Sequence, residues 1–181
     1  MTSRRPRPAG SRAAFGALLA VLALLTLAPS ATATPPAPRT PPVEGVVTLR
    51  SEANGKYVVP ELDWPFNTNG TLRARNDGVD DRTGFDMVAL GGDTYAFRST
   101  ANGRYVSAEL DWPFNTNGTL RARADGVGPW ERYQRVPLAN GRFALRAANG
   151  KYVTVELSWP FNTVATLRAR ADSIGPAETF L

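Results

Sequence analysis

Short stretches of alternating apolar and polar residues recur along the chain from about residue 46. Alternation with a period of two is typical of half-buried β-strands, and Gly, Pro, Asn and Asp interrupt every stretch before a helix could form. The first segment predicts four strands, namely VVTLRS (46–51), KYVVPEL (56–62), TLRAR (71–75) and GFDMVAL (84–90). The letters ANG separate the first two strands, and Asn-Gly is a strong signal for a tight hairpin. The pattern therefore predicts an all-β protein.

The same pattern occurs three times. The letters ELDWPFNTNGTLRAR occupy residues 61–75 and again residues 109–123, without a single difference. A third copy, ELSWPFNTVATLRAR, occupies residues 156–170 and keeps twelve of the fifteen letters. Self-similarity at a fixed period indicates a repeat architecture.

Three units of four strands predict twelve strands, and a closed barrel would remove the exposed sheet edges that an open sheet of that size leaves. We therefore expect a β-trefoil, a barrel closed by a triplet of hairpins with approximate threefold symmetry. The predicted domain is 46–181, with repeats at about 46–92, 93–140 and 141–181.

Strand alternation also predicts which side chains fill the barrel. The arginines between the core positions, Arg73, Arg121 and Arg168, should point outward. The predicted core residues are Val58, Val106, Val153, Leu72, Leu120, Leu167, Ala74, Ala122, Ala169, Phe85, Tyr133 and Phe180.

The first 33 residues predict a secretory signal peptide. Residues 1–12 are basic, residues 13–28 are apolar and uncharged, and Ala-Thr-Ala at 31–33 matches a cleavage site. A membrane anchor is the alternative, but the apolar stretch is shorter than the ~20 residues of a spanning helix. Residues 34–45 are rich in Pro and predict an extended linker. The sequence thus predicts a secreted, extracellular protein without membrane attachment after cleavage.

Charge and composition exclude several classes of function. The chain has 21 basic and 16 acidic residues, but four of the arginines lie in the predicted leader, where there is no acidic residue. The remainder is nearly neutral, which does not favour nucleic acid. The chain contains no Cys and no His, which excludes disulfides and imidazole-based catalysis or metal binding. DWPFNTNG faintly resembles a calcium loop, but the third copy lacks its Asp, Asn and Gly, so we expect neither metal nor cofactor.

Two stretches carry a family resemblance. LRSEANGKYV and LRARADGVGPWERY resemble the fascin-like (actin-crosslinking-like) β-trefoil domain, in its secreted bacterial type. The resemblance covers about 46–181, although the Trp-Glu-x-aromatic element is intact only at residues 130–133. It implies the β-trefoil fold and, for some members, actin bundling.

The repeated Trp-Pro-Phe-Asn loops are the candidate ligand-binding site. A Trp ring offers a flat apolar surface to the C–H face of a sugar, and nearby amides and carboxylates can bind its hydroxyl groups. In the alternative, each Trp packs over its own hairpin as a clasp, with Phe66 beneath Trp64. The candidate residues are Asp63, Trp64, Phe66, Asn67, Asp111, Trp112, Phe114, Asn115, Trp159, Phe161 and Asn162.

The RAR triplets allow two interpretations. Their arginines could bind sulfate, uronate or phosphate. Cross-strand pairing is favoured instead, because acids and bases occur in equal copy number. The expected acidic partners are Glu61, Glu109, Glu156, Asp77, Asp125 and Asp172.

We do not expect an enzyme. A glycosidase needs two carboxyl groups in different environments, whereas the acids of this chain lie in equivalent repeats. The sequence predicts a secreted, monomeric, non-enzymatic binding module for polysaccharide or cell-wall glycan. A protein-binding (actin-crosslinking-like) module and a structural surface module are the alternatives.

Overall fold

The computed structural model of the chain describes residues 41–64, 68–112, 116–159 and 163–181. The predicted signal peptide lies outside these residues, as does most of the predicted linker, and both stay predictions. Among the described residues, no helix is long and apolar enough to cross a membrane.

Eleven β-strands make up the described fold, with only three-residue 3₁₀ turns besides, so the all-β prediction is confirmed. The 3₁₀ turns are Pro129–Glu131, Ala139–Gly141 and Pro176–Glu178. The strands are β1 (Val43–Thr48), β2 (Tyr57–Glu61), β3 (Thr71–Asn76), β4 (Gly84–Gly91), β5 (Thr94–Ser99), β6 (Tyr105–Glu109), β7 (Thr119–Ala124), β8 (Tyr133–Pro137), β9 (Phe143–Arg146), β10 (Tyr152–Glu156) and β11 (Thr166–Ala171).

Three of the four strands predicted in the first unit match β2, β3 and β4 to within one residue at either end. The first strand is displaced, because β1 begins at Val43 and ends at Thr48 rather than covering 46–51. Beyond β1, Arg50 forms only an isolated bridge with Tyr57. The register of β1 is fixed by its pairing with β4, which the local sequence does not reveal.

The prediction of a β-trefoil with three four-stranded repeats was wrong. All strands belong to one antiparallel sheet in which eight strands close a ring, in the order β5-β6-β7-β3-β11-β10-β9-β8, with β8 pairing back to β5. Three strands lie outside this ring: β4 pairs with β5, β1 with β4, and β2 with β3. The third unit has three strands rather than four, because Phe180 forms only isolated bridges, to Ser51 and Phe143.

The strands β3, β7 and β11 pair with one another in a closed triangle. Thr71 of β3 faces Arg121 of β7, Thr119 of β7 faces Arg168 of β11, and Thr166 of β11 faces Arg73 of β3. Each strand thus places its first residue opposite the central arginine of another. This triangle brings the three repeated segments to one place.

The core prediction is confirmed, because all twelve predicted positions are buried. Phe85, Tyr133 and Phe180 are among the largest fully buried side chains, and the three valines and three leucines surround them. Burial of such side chains contributes roughly 1.5–3 kcal/mol each, so this cluster is the main source of stability.

Two glycines allow the strands of the triangle to approach closely. Gly70 and Gly118 have φ of +83° and +80°, and a Cβ on either would lie 2.7 Å from a backbone oxygen, that of Ala122 or Ala169. The equivalent residue of the third unit is Ala165, whose φ is 66°. The third turn therefore retains a conformation that L-residues rarely adopt.

We expect Gly118→Ala to lower the free energy of unfolding by about 2 kcal/mol, because it adds left-handed strain and a close backbone contact. Gly126→Ala is the matched control, since Gly126 has no atom within 4 Å of an added Cβ. Urea denaturation of both variants measures the difference. Equal effects of the two substitutions would contradict the importance of this close approach.

Candidate functional site

Six of the candidate site residues lie outside the described residues and stay predictions. They are Phe66, Asn67, Phe114, Asn115, Phe161 and Asn162. Asp63 and Asp111 are described and exposed, each directly before a loop tryptophan.

The three loop tryptophans converge on one depression. Trp64, Trp112 and Trp159 are each half-buried, and together they line a shallow cavity of about 50 Å³. Six threonines complete its wall, namely Thr68, Thr71, Thr116, Thr119, Thr163 and Thr166. We call this cavity the central depression. The sequence suggested three repeated loops, whereas the structure brings their indoles to a single surface.

The triangle of strands explains this convergence. Each tryptophan precedes its triangle strand by seven residues, so the closure of β3, β7 and β11 draws the three loops together. The threonine that begins each strand also ties the strand to its loop. In the first unit, the Thr71 hydroxyl donates to the Thr68 carbonyl oxygen at 2.7 Å, and the equivalent bonds at Thr119 and Thr166 have the same length.

An arginine lies over each indole. The guanidinium carbons of Arg73, Arg121 and Arg168 are 5.2, 4.8 and 4.4 Å from the ring centroids of Trp64, Trp112 and Trp159, respectively. These are cation–π distances. One face of each indole is therefore covered by a cation, which leaves the remaining ring surface to line the central depression.

The same arginines join the units to one another. The Arg121 guanidinium donates to the Asn69 carbonyl oxygen of the preceding unit at 2.6 Å, and Arg168 donates in the same way to that of Asn117. Arg73 closes the circuit by donating to the Val164 carbonyl oxygen of the third unit, also at 2.6 Å. Each tryptophan therefore contacts one member of a ring of arginines, formed by Arg73, Arg121 and Arg168, that links the three units. We call this ring the cyclic frame.

These three arginines point away from the hydrophobic core, as predicted, but they are covered rather than exposed to solvent. Their side chains are 14%, 9% and 8% exposed, because the loop of a neighbouring unit covers each of them. The second arginine of each RAR triplet does lie at the surface, as Arg75, Arg123 and Arg170 show. The alternation of residues along a single strand predicts the direction of a side chain, but it does not show whether a loop of another unit buries that side chain.

A buried carboxylate holds each pair of arginines. Glu109 is 1% exposed, accepts a hydrogen bond from Arg123 Nη2 at 2.7 Å and lies 3.7 Å from Arg121 Nη1. Glu61 and Glu156 repeat this arrangement in the other units. The predicted cross-strand pairing with these glutamates is confirmed. The predicted pairing with Asp77, Asp125 and Asp172 was wrong, because these contact Lys56, Arg104 and Lys151 instead.

The electrostatics of the two arginine sets differ. Burial lowers the pKa of Arg73, Arg121 and Arg168, and the neighbouring glutamate opposes that shift. The hydrogen bond to glutamate raises the pKa of Arg123 and Arg170. All these arginines stay cationic at any physiological pH. The glutamates thus act as counter-ions of these arginines.

Sequence reasoning missed the threonines of the central depression. They recur at the same two places in every copy, within NTNGT and NTVAT. That recurrence was the available signal, but only the tertiary closure shows that they share one cavity. No group of three potential metal-ligating acidic residues occurs among the described parts of the chain.

Comparison with known proteins finds similar structures but no protein with a similar sequence. No protein-family model matches the chain, and no curated protein matches its sequence. The fold is similar to that of ThreeFoil, a designed 3-fold symmetric protein, with a TM-score of 0.62 and 18% identity over 76% of this chain and 96% of that one.

Two natural proteins also have similar structures. One is an exo-β-1,3-galactanase from Clostridium thermocellum, with a TM-score of 0.61 and 14% identity over 79% of this chain. This chain covers only 30% of that protein's length. The other is a protein of unknown function from Caenorhabditis elegans, with a TM-score of 0.61 and 14% identity over 75% of this chain and 91% of that one. At such identities the comparisons show the fold alone, a β-rich repeat fold.

Proposed function

We propose that this chain is a secreted, non-enzymatic module that binds carbohydrate at the central depression. The observation that carries the proposal is the convergence of Trp64, Trp112 and Trp159 on one surface. Aromatic rings at a shared concave surface, with hydroxyl and amide groups around them, are typical of small-molecule and sugar sites.

The size of the central depression indicates how a glycan would bind. At about 50 Å³ it is much smaller than the ~300–1,000 Å³ of sites that enclose a ligand. A sugar ring would therefore lie across the indoles rather than enter a pocket, and the affinity for a single residue should be weak. Convergence also implies one bound chain segment per molecule, instead of three independent segments on separate loops.

Two further observations support this proposal. The galactanase among the similar structures acts on a polysaccharide, as its name states. The part of that enzyme that is similar to this chain makes up less than a third of its length. The predicted signal peptide would bring the protein to the extracellular polymers that such a module binds. An enzymatic role is not proposed, because the buried glutamates are occupied by arginines in all three units.

Titration calorimetry with β-1,3-linked galacto-oligosaccharides, preceded by a glycan array, tests the proposal. We expect one binding site per molecule and at least a tenfold loss of affinity in Trp112→Ala, since removal of one aromatic hot spot costs about 1.4 kcal/mol or more. Trp130→Ala is the matched control, because Trp130 is half-buried in a 3₁₀ turn and does not line the central depression.

If no oligosaccharide of the array binds at millimolar concentration, or if Trp112→Ala and Trp130→Ala change affinity alike, the indoles serve the fold and not a glycan.

A protein-binding role of the fascin-like kind is the second candidate, and one observation favours it. Strand β1 pairs only with β4 among the described strands, and its Val43 and Val46 are 54% and 64% exposed. An apolar strand edge can accept a strand or an apolar surface of another protein. Co-sedimentation with actin filaments, compared between the wild type and Val46→Lys, tests this role. If neither the oligosaccharide titration nor the co-sedimentation shows binding, a structural surface module is the remaining interpretation.

A further inference from the structure

A second and larger concavity, of about 400 Å³, lies between β1, β4, β5, β8 and β9. Its wall includes Val47, Met87, Tyr95, Phe97, Arg135 and Phe143. Phe97 belongs to the buried core, and the other four apolar residues are partly buried against it. We call this concavity the β1–β9 cleft. It shares no lining residue with the central depression, and its volume is within the range of small-molecule sites.

One residue of the cleft breaks the strand pattern. On β8, Tyr133 is fully buried and Gln134 is exposed, so alternation directs Arg135 to the same side as Tyr133. On β4, the residue two positions after the buried Phe85 is the apolar Met87. An arginine therefore occupies an inward-facing position that the first unit fills with an apolar side chain.

Arg135 is held by an aromatic ring and not by an acid. Its guanidinium carbon lies 4.7 Å from the Phe143 ring centroid. No carboxylate of the described residues lies within 4.0 Å of its guanidinium nitrogens, and Glu44, which also lines the cleft, is exposed. The contact with Phe143 does not use the guanidinium N–H donors in an ion pair, so a carboxylate or sulfonate can accept two hydrogen bonds from them.

From this combination we infer that the β1–β9 cleft binds a small amphipathic anion, with an apolar body the size of one or two aromatic rings and a single carboxylate or sulfonate group. Val47, Met87, Tyr95 and Phe97 receive the apolar body, and Arg135 pairs with the charged group. Glu44 at the rim disfavours ligands with a second negative charge. This site is independent of the carbohydrate proposal.

Two probes with the same aromatic skeleton test the inference by titration calorimetry. They are naphthalene-2-sulfonate, which is anionic, and naphthalene-2-sulfonamide, which is neutral. We expect saturable one-to-one binding of the anionic probe to the wild type. Arg135→Met should weaken the anionic probe at least tenfold and change the neutral probe less than twofold. Arg132→Met is the matched control, because it removes the same charge from an exposed position outside the cleft, and it should change neither probe more than twofold.

Further variants separate the charge of Arg135 from the shape of the cleft. Met87→Trp fills the cleft and should weaken both probes, and Arg135→Lys, which retains the charge, should weaken the anionic probe less than Arg135→Met does. Trp112→Ala should leave both affinities unchanged, which separates this site from the glycan proposal. A wild type that binds neither probe, an equal loss in Arg132→Met and Arg135→Met, or a dimer that covers the cleft in sedimentation would each overturn the inference.

Discussion

Glu109→Ala should lower the free energy of unfolding by about 3–5 kcal/mol, the range found when one partner of a buried ion pair is removed. Glu109 is almost fully buried and holds Arg121 and Arg123 together. Its removal leaves Arg121, whose side chain is only 9% exposed, without a carboxylate partner. Urea denaturation, monitored by circular dichroism, measures the effect.

A surface ion pair is the matched control for Glu109. Asp125 forms an ion pair with Arg104, but its side chain is 90% exposed. Asp125→Ala should therefore change stability by no more than about 0.5 kcal/mol. A loss below about 1 kcal/mol in Glu109→Ala would show that the cyclic frame does not depend on its glutamates.

Tyr133→Ala should cost about 3–5 kcal/mol, as is usual when a buried aromatic ring is replaced by a methyl group. Tyr133 is fully buried and packs against Phe97 with a ring-centroid distance of 6.0 Å. Burial raises the pKa of its hydroxyl well above the ordinary value, so the ring stays neutral in the core. Thermal and urea unfolding both report this loss.

Tyr133→Phe is the matched control for the ring itself. The Tyr133 hydroxyl lies 3.4 Å from the Val106 carbonyl oxygen, which is a long and weak hydrogen bond. The equivalent residues of the other units, Phe85 and Phe180, have no hydroxyl and are equally buried. Tyr133→Phe should therefore change stability by less than about 1 kcal/mol. A large loss in this variant would mean that the hydroxyl, and not the packed ring, stabilises this part of the core.

The core was predictable from the sequence because strand alternation is a local property. Leu72, Leu120 and Leu167 lie between polar neighbours at a period of two, and the structure buries all three. The pairing of β2 with β3 was predictable for the same reason, because the two strands are neighbours in the sequence. Both features depend on contacts close in sequence. The hairpin predicted across Asn54-Gly55 was wrong, because β1 pairs with β4 and only Arg50 forms a bridge with Tyr57.

The closure of the sheet was not predictable in this way. Pairing of β3 with β7 and of β7 with β11 joins residues 50 and 49 positions apart, and pairing of β11 with β3 joins residues 93 positions apart. The register of β1 likewise depends on β4. The burial of Arg73, Arg121 and Arg168 has the same origin, because another unit covers each guanidinium. For the candidate site, the sequence identified the tryptophans, whereas their meeting at one surface follows from that long-range closure.

The cyclic frame formed by Arg73, Arg121 and Arg168 affects which sequence changes the three units can accept during evolution. Every one of its acceptors is a main-chain oxygen, so the identity of the accepting side chain is irrelevant to the join. The third unit illustrates this tolerance, since Val164 stands where the others have Asn69 and Asn117 and still receives its arginine. Substitutions at positions 69, 117 and 164 can therefore change the side chains on the protein surface, while the hydrogen bonds between the units are retained.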